Sequence, residues 1–226
     1  MPQLVDDETL ENSAVVANCR MNRERELYGS NGYDVELGFD PIDKLRAAAS
    51  ERGRVRWLDL CCGSARALIQ AANISEEAGL PIEIVGLDLV NMFLPHEQPN
   101  LTLVPSSLRK WTPDESFDLI TCIHGLHYVG DKLGLLAKVP TWLKQSGQFV
   151  ASLDLNNIWI DGASSPRVIA KHLRSRGLGY STGTKRISRE AGLRVDFELD
   201  YLGADETAGP NYTGQPAVNS HYASRS

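Results

Sequence analysis

Arg56-Trp57-Leu58-Asp59-Leu60-Cys61-Cys62-Gly63-Ser64-Ala65-Arg66 is the stretch whose reading decides the fold. An apolar run from Val55 to Leu60 is broken only by Arg56 and Asp59. It meets a cluster of small residues, and an alanine-rich helical pattern then starts at Ala65-Arg66-Ala67-Leu68-Ile69. Strand, tight turn and helix in that order open a doubly wound α/β fold. Small side chains in the turn let backbone amides and a helix N-terminus approach a nucleotide-like ligand.

The same unit repeats outward from this stretch. Apolar strands are expected at Ile82–Leu87, Leu101–Val104, Phe117–Ile123 and Gly147–Leu153, with helices at Ala65–Ala78 and Lys132–Leu143. Asp40-Pro41, an N-cap followed by proline at the first helical position, starts another helix over Ile42–Arg52. Buried strands alternating with helices predict a mostly parallel sheet covered on both faces. Beyond Asp154 the pattern changes to a basic helix at Pro166–Arg176 and two strands, Leu193–Leu202 and Ala217–Tyr222. These two are expected to pair as an antiparallel hairpin at the sheet edge, across a Gly- and Pro-rich connection. Residues 8–28 carry scattered apolar positions in a charged background and read as exposed amphipathic helices. The expected organisation is a helical lid segment over residues 1–40 and the α/β domain over 41–226.

A chain of 226 residues with 42% hydrophobic content can bury one sizeable core. The formal net charge of −6 counts against a nucleic-acid partner, which calls for a basic patch, and favours a small-molecule substrate. Cys19, Cys61, Cys62 and Cys122 have no metal-ligand spacing and read as reduced thiols of a cytoplasmic protein. The acidic N-terminus carries no signal-peptide core and no run has the apolar length of a membrane span, so no membrane role is expected. Oligomeric state is left open, a homodimer being one option.

In doubly wound folds the ligand sits beyond the carboxyl ends of the strands. Four strand-end clusters stand out: Cys61-Cys62-Gly63-Ser64-Ala65; Asp88 with Leu89; Pro105-Ser106-Ser107-Leu108; and Ile123-His124-Gly125-Leu126-His127-Tyr128. Asp88 lies 25 positions after Gly63 (88 minus 63), close to the roughly 20-residue offset at which an acid meets ribose hydroxyls. A nicotinamide site would ask for a G-x-G-x-x-G run, and the chain has none.

Taken together, Leu58 to Ala65, Gly86-Leu87-Asp88, Ser106-Ser107-Leu108, Phe117-Asp118-Leu119-Ile120 and Leu143-Lys144-Gln145-Ser146-Gly147 resemble the class I S-adenosylmethionine-dependent methyltransferases. The resemblance runs over residues 40 to 160 and more loosely to the end. It implies a Rossmann-like, seven-stranded sheet and S-adenosyl-L-methionine as cofactor. By that resemblance Asp59 orders the turn, the backbone of Cys61, Gly63 and Ser64 cradles the methionine portion, Asp88 and Leu89 hold the ribose, and Ser107 and Leu108 frame the adenine. Two departures are visible: Cys61 and Ala65 replace the usual glycines, and Ser107 stands where an aspartate often meets the adenine amine.

Methylation of a hydroxyl or ammonium needs a group to take its proton, and histidine has a suitable pKa. His124 and His127 are the candidate catalytic residues, with His124 also near the cofactor; His127 could instead only start the next helix. A metal held between them is not expected, since no third ligand is near in sequence. The stretch from Asn22 to Tyr33 carries Tyr28 and Tyr33, whose rings could cover a sulfonium; the alternative is a solvated helix whose tyrosines only pack. Asp154 and Asn156 follow the fifth strand as candidate substrate contacts, and Tyr212 is a candidate C-terminal wall. The implied activity is methylation of a small molecule at oxygen, nitrogen or carbon. Cyclisation or cleavage of the cofactor's aminobutyl arm, or cofactor binding without catalysis, are the alternatives.

Overall fold

The computed structural model describes residues 2–17, 24–192 and 194–225. Cys19 and the Asn22-Arg23 start of the predicted lid constellation lie outside the described residues.

The first unit forms as its sequence dictates: β1 (Val55–Leu60), then α5 (Arg66–Glu77), preceded by α4 (Pro41–Arg52). Asp40 caps α4 by accepting from the N–H groups of Ile42 (2.8 Å) and Asp43 (3.2 Å), with Pro41 at the first position. Strands β2 (Ile82–Asp88), β3 (Leu101–Pro105), β4 (Phe117–Cys122) and β5 (Leu143–Ser152) follow, with α6 (Lys132–Lys138) between the last two. The sheet is completed by β7 (Gly179–Ser181) and β8 (Arg186–Glu190), in the order β3-β2-β1-β4-β5-β8-β7. The first five strands pair in parallel, and β8 runs antiparallel to both β5 and β7. Every residue of β1 and β4 is buried, which makes them the centre of the sheet. Trp57 and Leu119 pack on one face with Leu45 of α4 and Leu68 of α5. Leu58, Leu60 and Ile120 pack on the other with Leu136 of α6 and with Leu173 of α7 (Pro166–Ser175).

The edge hairpin is built differently from the sequence expectation. Residues 199–205 (β9, Leu199–Asp205) and 219–224 (β10, Asn219–Ser224) do pair antiparallel, but in a separate three-stranded sheet with β6 (Ile158–Ile160), ordered β6-β10-β9. The hairpin at the edge of the main sheet is β7–β8. Its apolar positions are few, Tyr180 and Ile187 being its buried hydrophobic residues, so the apolar signal that reveals β1 is missing there.

The N-terminal segment docks on this second sheet. The Val5 and Ala204 N–H and C=O groups exchange hydrogen bonds (2.8 and 2.9 Å), and the Tyr201 hydroxyl donates to Asp7 of α1 (Asp7–Glu11) at 2.6 Å. Next come α2 (Ala14–Ala17) and α3 (Tyr33–Leu37), the latter ending at the left-handed Gly38. No helix among the described residues is long and apolar enough to cross a membrane.

Lys132 fastens the two sheets together. Its fully buried ammonium donates to Val129 O (2.9 Å), Val218 O (2.8 Å) and Ser220 Oγ (3.0 Å), and burial pushes its pKa down to about 7. Replacing Lys132 by Met leaves two carbonyls without their donor, so urea unfolding should show a loss of about 2–4 kcal/mol. A loss under about 0.5 kcal/mol, the range of ordinary surface substitutions, would remove Lys132 from this role.

Candidate functional site

The carboxyl ends of β1, β2 and β4 open into one cleft. Cys61, Asp88, Leu89, Leu108 and His124 line it, together with Ser106 and Gly125. Leu10, Glu11 and Val16 of the N-terminal helices cover it from the other side.

Beneath the cleft lies Asp59, fully buried. Its Oδ2 accepts from the Tyr33 hydroxyl (2.7 Å) and its Oδ1 from Thr121 Oγ1 (2.5 Å), whose oxygen in turn accepts from the Trp57 indole at 2.8 Å. Desolvation outweighs these bonds and raises the Asp59 carboxyl to about 7. Asp59 does not line the cleft; it holds the end of β1 to Thr121 of β4 and to Tyr33 of α3. Tyr33, 3% exposed and edge-on to Trp57 at 6.2 Å, is its partner and lines no cavity. Tyr28 is exposed, with its hydroxyl 3.3 Å from Asp40, and also lies away from the cleft. The structure thus brings neither tyrosine to the cleft wall.

The turn keeps a glycine-like path without the usual glycines. Cys61 (φ 59°) and Ala65 (φ 62°) are both left-handed, as is Gly63 (φ 61°). A left-handed L residue costs roughly 1–2 kcal/mol, so the turn is held by its surroundings. The Cys62 N–H bonds Leu87 O (3.1 Å), the Gly63 N–H bonds Asp88 Oδ2 (2.9 Å) and the Ala65 N–H bonds Cys62 O (3.0 Å). Gly63 therefore steadies Asp88, and Ser64 takes the Leu94 N–H on its carbonyl (3.0 Å); neither lines the cleft. Cys62 packs inward against Gly86, where a Cβ would come within 2.9 Å of its sulfur. The Cys61 thiol is raised by its hydrogen bond with Cys122 and by burial, and the Cys62 thiol by burial; both stay protonated.

Asp88 also caps the chain beyond β2, accepting from the Val90 N–H at 3.0 Å. Ser107 does not line the cleft, and its hydroxyl donates to Glu11 Oε1 (2.5 Å), a carboxylate of α1 that does. Nothing near Ser107 in sequence signals this, because Glu11 lies 96 positions away.

His124 is left-handed (φ 58°), 2% exposed, and clamped between two groups. Its Nε2 lies 2.9 Å from Glu36 Oε1, and its Nδ1 lies 3.4 Å from the Tyr212 hydroxyl. Burial would raise the Glu36 carboxyl, but His124 and Arg25 outweigh it and hold it below its usual value. Glu36 escaped the sequence reading because its five-residue helix is too short for a periodic signal, although Gly32 and Gly38 bracket it. Gly125 must be glycine: a Cβ there would stand 2.3 Å from that of Cys61.

His127 is fully buried, with its ring 5.6 Å from that of His124 and 5.3 Å from that of Tyr212. Burial, then the charges of His124, Lys132 and Arg25, push its pKa down to about 3, so it is a neutral imidazole at physiological pH. It lines neither cavity, and among the described residues neither ring nitrogen has a hydrogen-bond partner. Asp154 and Asn156 face a second cavity on the far side of Tyr212. Among the described residues no three His, Cys, Asp or Glu side chains could hold a metal ion.

The strand order, the strand-end cleft and the acid after β2 define a Rossmann-like ligand-binding domain. A methyltransferase-domain family model matches residues 32–195, and the chain belongs to that family. No curated protein matches the sequence. Similar solved structures include the plantazolicin methyltransferase BpumL in complex with SAH, at 16% identity, TM-score 0.40, and coverage of 64% of this chain and 51% of that one. Coclaurine N-methyltransferase bound to N-methylheliamine and SAH is 14% identical, with TM-score 0.41 and coverage of 66% and 45%. The DhpI–SAH complex is 18% identical, with TM-score 0.44 and coverage of 71% and 89%. This chain spans about half the length of the first of these.

Two outcomes test the site's construction. Ala65→Gly relieves a left-handed Cβ and should stabilise the protein by about 1 kcal/mol, read as a higher urea midpoint at unchanged slope; a lower midpoint would contradict the strain. Asp59, raised in the fold to about 7 from 3.8, stabilises fully below pH 3.8, and that contribution is lost as pH rises through 7. Wild type should therefore lose stability relative to Asp59→Asn between pH 4 and pH 7. A pH-independent difference between the two would show that Asp59 is ionised in the fold.

Proposed function

We propose that the protein transfers a methyl group from S-adenosylmethionine to a small-molecule acceptor, at oxygen, nitrogen or carbon. The observation that carries this reading is the convergence of Cys61, Asp88 and His124 on one cleft at the strand ends, in a chain of the methyltransferase-domain family. The residues present fit such a cofactor: an acid after β2, apolar side chains to sandwich a flat base, and a tight left-handed turn between them. When bound, the cofactor supplies an electrophilic methyl group on a positively charged sulfur.

The chain's own residues bind, orient and exclude water. Asp88 and Leu89 would hold the ribose, Leu108 and Leu10 would enclose the adenine, and the Cys61 turn would meet the methionine portion. Glu11, brought in by Ser107, takes the part of the missing aspartate and would accept from the adenine amine. The helices α1 and α2 would act as the lid, with Leu10, Glu11 and Val16 over the cleft. His124 is the proton acceptor: Glu36 fixes its ring, which leaves Nδ1, the nitrogen facing Tyr212, for the acceptor's proton. His127 is a positioning residue, a neutral ring against which His124 and Tyr212 pack. The acidic balance supports a small molecule rather than a nucleic acid.

Calorimetry with S-adenosylmethionine tests this directly. Wild type should bind, Asp88→Ala should weaken binding at least about tenfold, and Glu11→Gln by roughly three- to tenfold, the loss of about one charged hydrogen bond. Absence of binding to the wild type would overturn the reading, and an unaltered Glu11→Gln would remove Glu11 from the adenine site.

A further inference from the structure

A lysine braces one wall of the cleft from behind. Lys138 ends α6, and its Nζ donates to three carbonyls of a single distant turn: Leu108 O (3.2 Å), Arg109 O (3.3 Å) and Trp111 O (2.8 Å). An ammonium has three donors, so every one of them is spent on that turn. A lysine in the last turn of a helix ordinarily serves that helix's own carbonyls and dipole. Lys138 instead reaches a segment 27 to 30 positions away.

The brace is seated in the core. The same ammonium lies over the Trp142 ring, 5.1 Å from its centroid, and Trp142 meets Trp111 edge-on at 5.5 Å. Trp142 is buried, so both the cation and the end of the turn rest on a fixed surface.

The front of the turn is the cleft wall, where Leu108 and Arg109 stand. Ser107 shapes it locally: its carbonyl takes the N–H groups of Lys110 and Trp111 (3.1 Å each), and its Oγ takes the Arg109 N–H (3.2 Å). The Ser107 hydroxyl donates to Glu11, and Arg109 Nε lies 3.6 Å from the same carboxylate. Carbonyl dipoles that converge on one point repel one another unless a cation sits among them. Without the ammonium these three must turn toward water, and turning a carbonyl changes ψ of its own residue and φ of the next. Leu108 and Arg109 therefore keep their place on the wall only while Lys138 holds their carbonyls.

We propose that Lys138 is a positioning residue for the cofactor's base: it fixes the turn 107–111 so that Leu108 faces the cleft and Ser107 meets Glu11. Lys138 does not itself line the cleft, so its effect on the ligand passes through the turn. The proposal deepens the methyltransferase reading and rests on it, since that reading puts the adenine at Leu108.

A double-mutant cycle on S-adenosylhomocysteine binding, read by calorimetry on the full chain, tests this. Lys138→Met, checked for folding by thermal melting, should weaken binding at least about fivefold. Leu108→Ala should weaken the wild type at least about threefold and the Lys138→Met protein less than about twofold, because the released turn no longer presents Leu108. Asp88→Ala, at another strand end, should weaken both proteins by the same factor. Should Lys138→Met not fold, the same cycle run with Lys138→Gln, which keeps two donors and removes the charge, decides in its place. Wild-type binding by the Lys138 variant, a Leu108→Ala factor that is equal in both proteins or absent from the wild type, or an Asp88→Ala factor that shrinks along with it would overturn the assignment; the last result would make Lys138 a support of the whole fold. If the wild type binds S-adenosylhomocysteine and the cycle shows no coupling, the positioning role falls and the methyltransferase reading stands. If the wild type does not bind it, the methyltransferase reading itself falls.

Discussion

A single buried carboxyl group, that of Asp59, joins the parts on which the site depends. Strand β1 supplies it, β4 meets it through Thr121, and the segment ahead of the core meets it through Tyr33. Trp57 closes the network by donating to Thr121 and packing edge-on to Tyr33. Burial raises the Asp59 carboxyl to about 7, well above its usual value, while the Tyr33 and Thr121 hydroxyls donate to it. Directly after this strand end the chain enters the turn with the left-handed Cys61 and Ala65, the Gly63 bond to Asp88 and the contact of Gly125 with Cys61.

The turn shows how a sequence can depart from a pattern while the backbone does not. Cysteine and alanine occupy left-handed positions that glycine fills without strain, and the neighbouring hydrogen bonds hold them there. Beyond β3, Ser107 likewise reaches outside its own segment, its hydroxyl donating to Glu11 of α1. A consequence is that the N-terminal helices are part of the cleft rather than an appendage to it. Their docking on β9 through Val5 and Asp7 ties the cleft's cover to the second sheet, and Lys132 ties that sheet back to the strand-end loops.

The central strands were readable in the sequence because β1 and β4 are buried along their whole length and show as apolar runs. The Asp40-Pro41 start of α4 was readable because its capping chemistry is local. Asp88 and His124 share one cleft wall for a related reason: in this topology strand ends converge, so position along a strand predicts position in space. Where contacts are long-range or half-exposed the sequence signal fails. The β7–β8 hairpin buries few hydrophobic side chains, and the strands expected at the main sheet's edge have their own partner in β6, a three-residue strand. Glu36 reaches His124 from a helix of one and a half turns, and Asp205 meets His221 only because β9 and β10 pair. Tyr28 and Tyr33 looked like ring contacts for a ligand by type and location. The structure uses Tyr33 to hold Asp59 and leaves Tyr28 at the surface.

The central claim is that the Asp59-anchored turn and Asp88 define the cofactor's seat. A crystal structure of the protein with S-adenosylhomocysteine tests it most directly. The ribose hydroxyls should lie within hydrogen-bonding distance of Asp88, the adenine between Leu108 and Leu10 with its amine toward Glu11, and the sulfur beside Cys61 and His124. Density for the ligand elsewhere on the protein, or with its ribose away from Asp88, would contradict the account.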